Sequence, residues 1–230
     1  VAATPFTQTE LKQAVGRAAA ALVQDGMLVG LGTGSTAQCF IQSLIERVHQ
    51  GLSITAVSSS IRSAEQARQG GITVLDMNTI TSIDMTVDGA DEIDPQNRMI
   101  KGGGGAHVRE KIVATSSRQV IIIIDESKLV PVLGKFGLPV EVIPFGHQAT
   151  IHKLNLLGYQ GTLRQQEQQP FATDNGNYIF DIHLPKQFPY PEQDHTKIMT
   201  IAGVVDTGFF FHLPVKVLVG YHDGHIAFRS

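Results

Sequence analysis

Apolar residues along this chain change their spacing several times, and the changes divide it into elements. Thr7-Gln8-Thr9-Glu10 has the form of a helix capping box, and Leu11, Val15, Ala18 and Leu22 follow at helical spacing. A first helix is expected from Thr7 to Val23. Met27–Leu31 (MLVGL) reads as a strand that ends in the turn Gly32-Thr33-Gly34-Ser35-Thr36, and a second helical pattern runs from Ala37 to His49. Ile54–Val57 then reads as a strand, Arg62–Gln69 as a helix and Thr73–Leu75 as a strand. Met85–Val87 and Val120–Ile124 are further strands, the latter with the β-branched density of a strand buried on both faces. Strands alternating with helices argue for a parallel sheet covered on both sides, an α/β fold.

The alternation breaks after Lys128. Proline-containing stretches from Pro131 to Pro144 lead into a helix near His147–Leu157. The polar run Arg164–Gln169 precedes Asp174-Asn175-Gly176-Asn177, a turn signal between two strand-like segments. Pro185, Pro189 and Pro191 mark a connection to a short helix, and Val204–Phe211 and Val215–Gly220 read as closing strands. The pattern is that of a small α+β domain inserted before the chain returns to its main sheet.

Composition narrows the partners. A net charge of -3 with no dense Lys/Arg cluster argues against nucleic acid and anionic membranes. The single cysteine, Cys39, precludes an internal disulfide and fits a reducing compartment. The opening VAATPFTQTE has neither the basic nor the apolar region of a signal peptide. Apolar runs such as Val120–Ile124 are far too short to span a bilayer. A soluble, intracellular protein is expected.

Three stretches carry candidate chemistry. Gly32–Thr36 follows a strand and opens a helix, where unpaired amides and hydroxyls form an anion site. It lacks the spacing of a dinucleotide fingerprint or a phosphate-binding loop, and would also serve as a plain capped turn. Asp88-Gly89-Ala90-Asp91-Glu92-Ile93-Asp94 sets four acidic residues in seven positions at a strand's C-terminal end. Ligands bind at that edge in open α/β sheets, although such runs more often face water, and clustered carboxylates also suit Mg²⁺ or Ca²⁺. Lys101-Gly102-Gly103-Gly104-Gly105 allows close backbone approach to a ligand before a helix starting near Ala106. Val108 and Ile112 are expected on that helix's buried face, with Glu110 about 200° from Val108 and pointing away from the core. A carboxylate there, beside Lys101, has the makings of a general base. The nine histidines form no metal-ligand motif.

Taken together, GLGTGSTA (30–37), VSSS (57–60), DGADEID (88–94), KGGGGAHVREK (101–111), DESK (125–128), LGKFGLPVEVIP (133–144), TDNGN (173–177) and GVVDTGFF (203–210) resemble the type A family of ribose-5-phosphate isomerases. They occur in family order and cover most of the chain. The resemblance implies an aldose–ketose isomerase acting on ribose 5-phosphate and ribulose 5-phosphate, with no metal and no nucleotide cofactor. It implies a Rossmann-like domain over 1–131 and 206–230, with helices on both sheet faces, and a small α+β domain over 132–205. By motif, Glu110 would shuttle a proton between C2 and C1 through an enediolate, and Asp88 would assist ring opening and proton movement between oxygens. Lys101 would stabilise developing negative charge, with Asp91 orienting it. Thr33, Gly34, Ser35, Thr36, Gly89, Ala90, Gly102, Gly103 and Gly104 would line the substrate pocket, and Lys128 would contact the phosphate. The family commonly forms homodimers, with higher homo-oligomers also open, and works in bacterial cytoplasm or plastid stroma. His107 departs from the pattern, where an apolar or small residue is expected. An aminosugar-phosphate deaminase would require a catalytic histidine in context, and a sugar-sensing regulator a DNA-binding module; neither is visible.

Overall fold

The computed structural model describes residues 6–229, so the reading of residues 1–5 as free of a leader lies outside it. Helix α1 (Gln8–Ala20) begins as its sequence requires: Thr7 Oγ1 accepts from the Glu10 amide, and the Glu10 carboxylate accepts from the Thr7 amide. Strand β1 (Leu28–Leu31) leads into α2 (Ser35–His49), β2 (Thr55–Ser58) into α3 (Ile61–Gln69), and β3 (Thr73–Val74) follows. The main sheet is completed by β4 (Met85–Asp88), β5 (Val120–Asp125), β6 (Val215–Gly220) and β7 (Ile226–Phe228), with α4 (His107–Thr115) between β4 and β5.

These seven strands run in the order β7-β6-β5-β4-β1-β2-β3. Every pair is parallel except β6 with β7. Alternate strand residues face opposite sides. Val29, Leu31, Ala56, Val87 and Ile121 share one core with Phe40 and Leu44 of α2. Val57 turns the other way and packs with Val113 of α4. Helices therefore cover both faces, which is why all six residues of β5 are buried and no polar alternation marks it.

The chain divides into two compact units, Val1–Ala90 with Arg109–Lys128 and Leu213–Ser230, and Asp91–Val108 with Leu129–His212. The second unit is built on four antiparallel strands in the order Val204–Thr207, Leu138–Val142, Tyr178–Leu184, Gln160–Leu163. Helices α5 (His147–Leu156) and α6 (Pro191–Met199) belong to it, and Leu138, Val140, Phe180, Phe188 and Phe209 fill its core. Glu92–Ile93, Met99–Ile100 and Phe209–Phe210 form a smaller sheet.

The structure corrects several expectations. Leu138–Val142 is a fully buried strand inside what reads as a proline-rich connection. Val204–Phe211 is not a strand of the main sheet: Val204–Thr207 pairs with Leu138–Val142, and Phe209–Phe210 pairs with Met99–Ile100. The phase of α4 also differs. Ala106, Glu110, Val113, Ala114 and Ser117 are buried, at helical spacing, whereas Ile112 is 49% exposed and Val108 only half-buried. Glu110 thus lies within the buried stripe rather than opposite it.

Candidate active site

Loops leaving adjacent parallel strands at their C-terminal ends converge on one edge of the sheet. The neighbours β1, β4 and β5 carry Gly32–Thr36, Gly89–Ala90 and the short helical turn Glu126–Lys128 at that edge. Asp88 closes β4 and is 3% exposed; its Oδ1 accepts from the amides of Thr33 at 3.0 Å and Gly89 at 2.7 Å. Gly32 permits this pairing, because a Cβ on it would lie 2.1 Å from Asp88 Oδ1. Thr33 Oγ1 lies 2.7 Å from Ser59 Oγ, and Ser63 Oγ donates to the Gly32 carbonyl at 2.8 Å, so the turn is held from β2 and α3 as well. Gly34 stands at the N-cap of α2 and contributes no side-chain bond to the first-turn amides. That is the chemistry of an anion site.

Glu110 reaches the same edge through the direction of α4. Ser117 bridges to Ile83 just ahead of β4, and a Cβ on Gly30 of β1 would meet Val113 Cγ1 at 2.9 Å. The helix therefore runs against the strands. Glu110 precedes Val113 by about one turn on the same stripe, which carries it towards the C-terminal edge, and it is 4% exposed. Lys128 is half-buried after β5.

The second unit holds the glycine loop. Asp91 Oδ2 accepts from the Gly103 amide at 2.8 Å. Gly102 has φ +112°, a left-handed conformation that a side chain would strain. Lys101 is 3% exposed; its amide donates to the Gly208 carbonyl at 2.9 Å, and its Nζ lies 5.4 Å from the centre of the Phe210 ring. Arg164 Nη1 donates to the carbonyls of Gly102 at 2.9 Å and Gly103 at 3.2 Å. The same guanidinium grips Asp181 through Nε at 2.9 Å and Nη2 at 2.6 Å. His107 is fully buried, with Nε2 3.4 Å from the Asp206 carbonyl oxygen.

The first unit thus brings Thr33, Gly34, Ser35, Thr36, Asp88, Gly89, Ala90, Glu110 and Lys128 to one end of its sheet, and the second brings Asp91, Lys101, Gly102, Gly103 and Gly104 into one loop cluster. Sequence reasoning missed Arg164 as the clamp on the glycine loop. It opens a polar run that looks solvated, and its partner Asp181 is distant in sequence. Ser59, within VSSS, meets Thr33 from the end of an adjacent strand, a pairing that no local pattern signals. Among the described residues, no group of three His, Cys, Asp or Glu side chains is arranged to hold a metal ion.

A family model described as Ribose 5-phosphate isomerase A (phosphoriboisomerase A) matches residues 55–224. The chain belongs to this family. The ribose-5-phosphate isomerase A of Chlamydia felis is 51% identical over 219 residues, which cover 94% of each chain. The solved structure of ribose 5-phosphate isomerase from Plasmodium falciparum matches with a TM-score of 0.92 and 36% identity, over 96% of this chain and 98% of that one. A D-ribose-5-phosphate isomerase solved in complex with phospho-erythronic acid matches with a TM-score of 0.91 and 34% identity, over 97% and 100%. The protein is an aldose–ketose isomerase that interconverts ribose 5-phosphate and ribulose 5-phosphate in the pentose phosphate pathway. Among the described residues, no helix is long and apolar enough to cross a membrane.

Proposed function

We propose that Glu110 is the base of this isomerisation, taking the proton from C2 of the open-chain aldose and returning it to C1 through an enediolate. The observation that carries the reading is the burial of this carboxylate beside Val113 and Ala114 on a helical stripe directed at the sheet edge. Asp88, fixed by the Thr33 and Gly89 amides, moves the proton between the sugar oxygens and assists ring opening. Lys101 supplies the positive charge that an enediolate requires, and Asp91 orients it together with the substrate hydroxyls. Thr33–Thr36, Gly89, Ala90 and Gly102–Gly104 line the pocket, and Lys128 meets the phosphate. The reaction needs neither metal nor nucleotide.

The relative solved with phospho-erythronic acid suggests a probe. Its carboxylate, beside a hydroxyl-bearing carbon, has the planar anionic form of the enediolate, and transition-state analogues bind more tightly than substrates. In EDTA, wild type is expected to convert ribose 5-phosphate at full rate, and Glu110→Gln to lose roughly 10²–10⁴-fold in kcat. Binding of phospho-erythronic acid is expected to survive in both. Retention of activity by Glu110→Gln overturns the role of the base, and loss of wild-type activity in EDTA overturns metal independence.

The reading extends to assembly and setting. The division into two compact units supports a catalytic domain over 1–131 and 206–230 and a small domain over 132–205, although Asp91–Val108, 129–131 and 206–212 cluster with the latter. A homodimer, or a higher homo-oligomer, is supported by the exposed apolar side chains Phe145, Leu156 and Leu157, whereas Phe209 and Phe210 are core residues. The bacterial relatives and the lone Cys39 support a cytoplasmic setting, with plastid stroma as the alternative.

A further inference from the structure

A groove of about 850 Å³ opens within the second unit, lined by none of the residues assigned a part in the isomerisation. It borders the glycine loop, where a Cβ on Gly103 would meet Phe136 Cζ at 3.0 Å. Its apolar walls include Val132, Phe136 and Pro185, and its polar lining includes Lys135, Lys186 and His183. No aspartate or glutamate lines it among the described residues, on a chain whose net charge is -3. Neither lysine makes an ion pair among the described residues. A positive groove on a negative protein calls for a specific counter-charge.

The groove is also built firmly. Leu133 and Phe188 form an antiparallel bridge, with the Phe188 amide donating to the Leu133 carbonyl at 2.7 Å, which joins the two segments that form the walls. Phe188 is fully buried and stacks edge to face on Phe209, with centroids 5.2 Å apart. The loop carrying Lys135 and Phe136 is fixed by Glu92, whose buried carboxylate accepts from the amides of Gly134 at 2.6 Å and Phe136 at 2.5 Å. That loop therefore holds Phe136 with 46% of its surface exposed, rather than letting it collapse inward.

We propose that this groove binds an aromatic phosphomonoester, with the ring on Phe136 and the phosphate met by Lys135 and Lys186. Two lysines match a group that carries about −1.5 to −2 charges at neutral pH, which a carboxylate does not. An exposed ring held in place offers a stacking face worth roughly 1–3 kcal/mol to a flat partner. The volume lies in the ordinary range for small-molecule sites, about 300–1,000 Å³. The inference does not depend on the roles proposed for Glu110, Asp88 or Lys101.

The test is an amide chemical-shift titration of the intact chain with phenyl phosphate, in saturating ribose 5-phosphate to occupy the catalytic site. Saturable shifts are expected in residues 130–137 and 183–187. Lys135→Ser combined with Lys186→Ser is expected to raise Kd at least about tenfold, the effect of losing one charged contact, while isomerase activity stays unchanged. Phe136→Leu is expected to raise Kd at least about threefold through lost stacking. Shifts confined to other residues, an unchanged Kd in the lysine variant, or inorganic phosphate binding as tightly as phenyl phosphate would each overturn the proposal.

Discussion

Gly32 and Asp88 occupy space that only one of them can fill. A Cβ at position 32 would stand 2.1 Å from the Asp88 carboxylate oxygen and 2.6 Å from the Asp88 Cα, so the obstacle includes backbone and cannot rotate aside. Gly32→Ala is therefore expected to push the end of β4 outward and to break the bond from the Thr33 amide. Overpacking of this kind costs about 1–3 kcal/mol of stability. A displacement near 1 Å at a reacting group costs on the order of 10² in rate. Thermal unfolding and kcat/KM for ribose 5-phosphate check both, and a variant with wild-type kcat/KM would remove Asp88 from the chemistry. The identity of these residues was legible in the sequence, but the phase of Glu110 was not. Counting from Val108 and Ile112 put the carboxylate opposite the core, because apolar residues were assumed to be the buried ones. The helix instead buries Glu110 with Val113 and Ala114 and leaves Ile112 half exposed.

The glycine loop shows how an element can be fixed from outside itself. Glycines have no side chains to pack, so the loop depends on its backbone partners: Asp91 on the Gly103 amide and Arg164 on the carbonyls of Gly102 and Gly103. Arg164 is itself oriented by its paired bonds to Asp181, with both side chains largely buried. Arg164→Met is expected to lose about 1–3 kcal/mol, since it leaves the partly buried Asp181 carboxylate without its partner. It is also expected to raise KM for ribose 5-phosphate roughly tenfold, on the scale of one lost charged hydrogen bond. Adding Asp181→Leu would recover stability by removing the stranded charge. It would leave KM high, because the carbonyl contacts stay missing. Recovery of both together would show Arg164 to be a fold-stabilising residue only. The sequence hid this clamp, and hid the strand Leu138–Val142 for a related reason. Glu141 sits in the middle of that strand, yet it is fully buried because its Oε1 accepts from Thr173, Asn175 and Asn177 of the turn. A charged residue inside a buried strand is readable only once its distant donors are known.

At the scale of the whole molecule, most of the first unit was readable because strands such as β1 and β2 lead into helices with their own period, whereas the hairpin strand β7, with no helix beside it in the chain, was not. The second unit was readable only in outline, since its strands pair antiparallel across long sequence separations and its helices are joined by side chains. Tyr159 is one such joint. It follows α5 and donates from its hydroxyl to Asp194 Oδ1 in the first turn of α6 at 2.7 Å, with 3% of its surface exposed. Burial, then the hydrogen bond and negative charge of Asp194, raise its phenol well above the ordinary tyrosine range. The unfolded chain therefore ionises first, at a pH of about 10. The contribution to stability is complete below that pH and is lost as pH rises from there towards the folded-state value. Tyr159→Phe lacks the ionisation and the hydrogen bond alike. It is expected to be less stable than wild type at neutral pH by roughly 1.5–3 kcal/mol, as for a bond to a charged group. The difference should then narrow steadily as denaturation is repeated above pH 10, because only wild type has this stability to lose. A gap that stays constant from pH 7 to pH 11 would mean that Tyr159 ionises as readily in the folded protein as in the unfolded chain, and that the α5–α6 joint is held by packing alone.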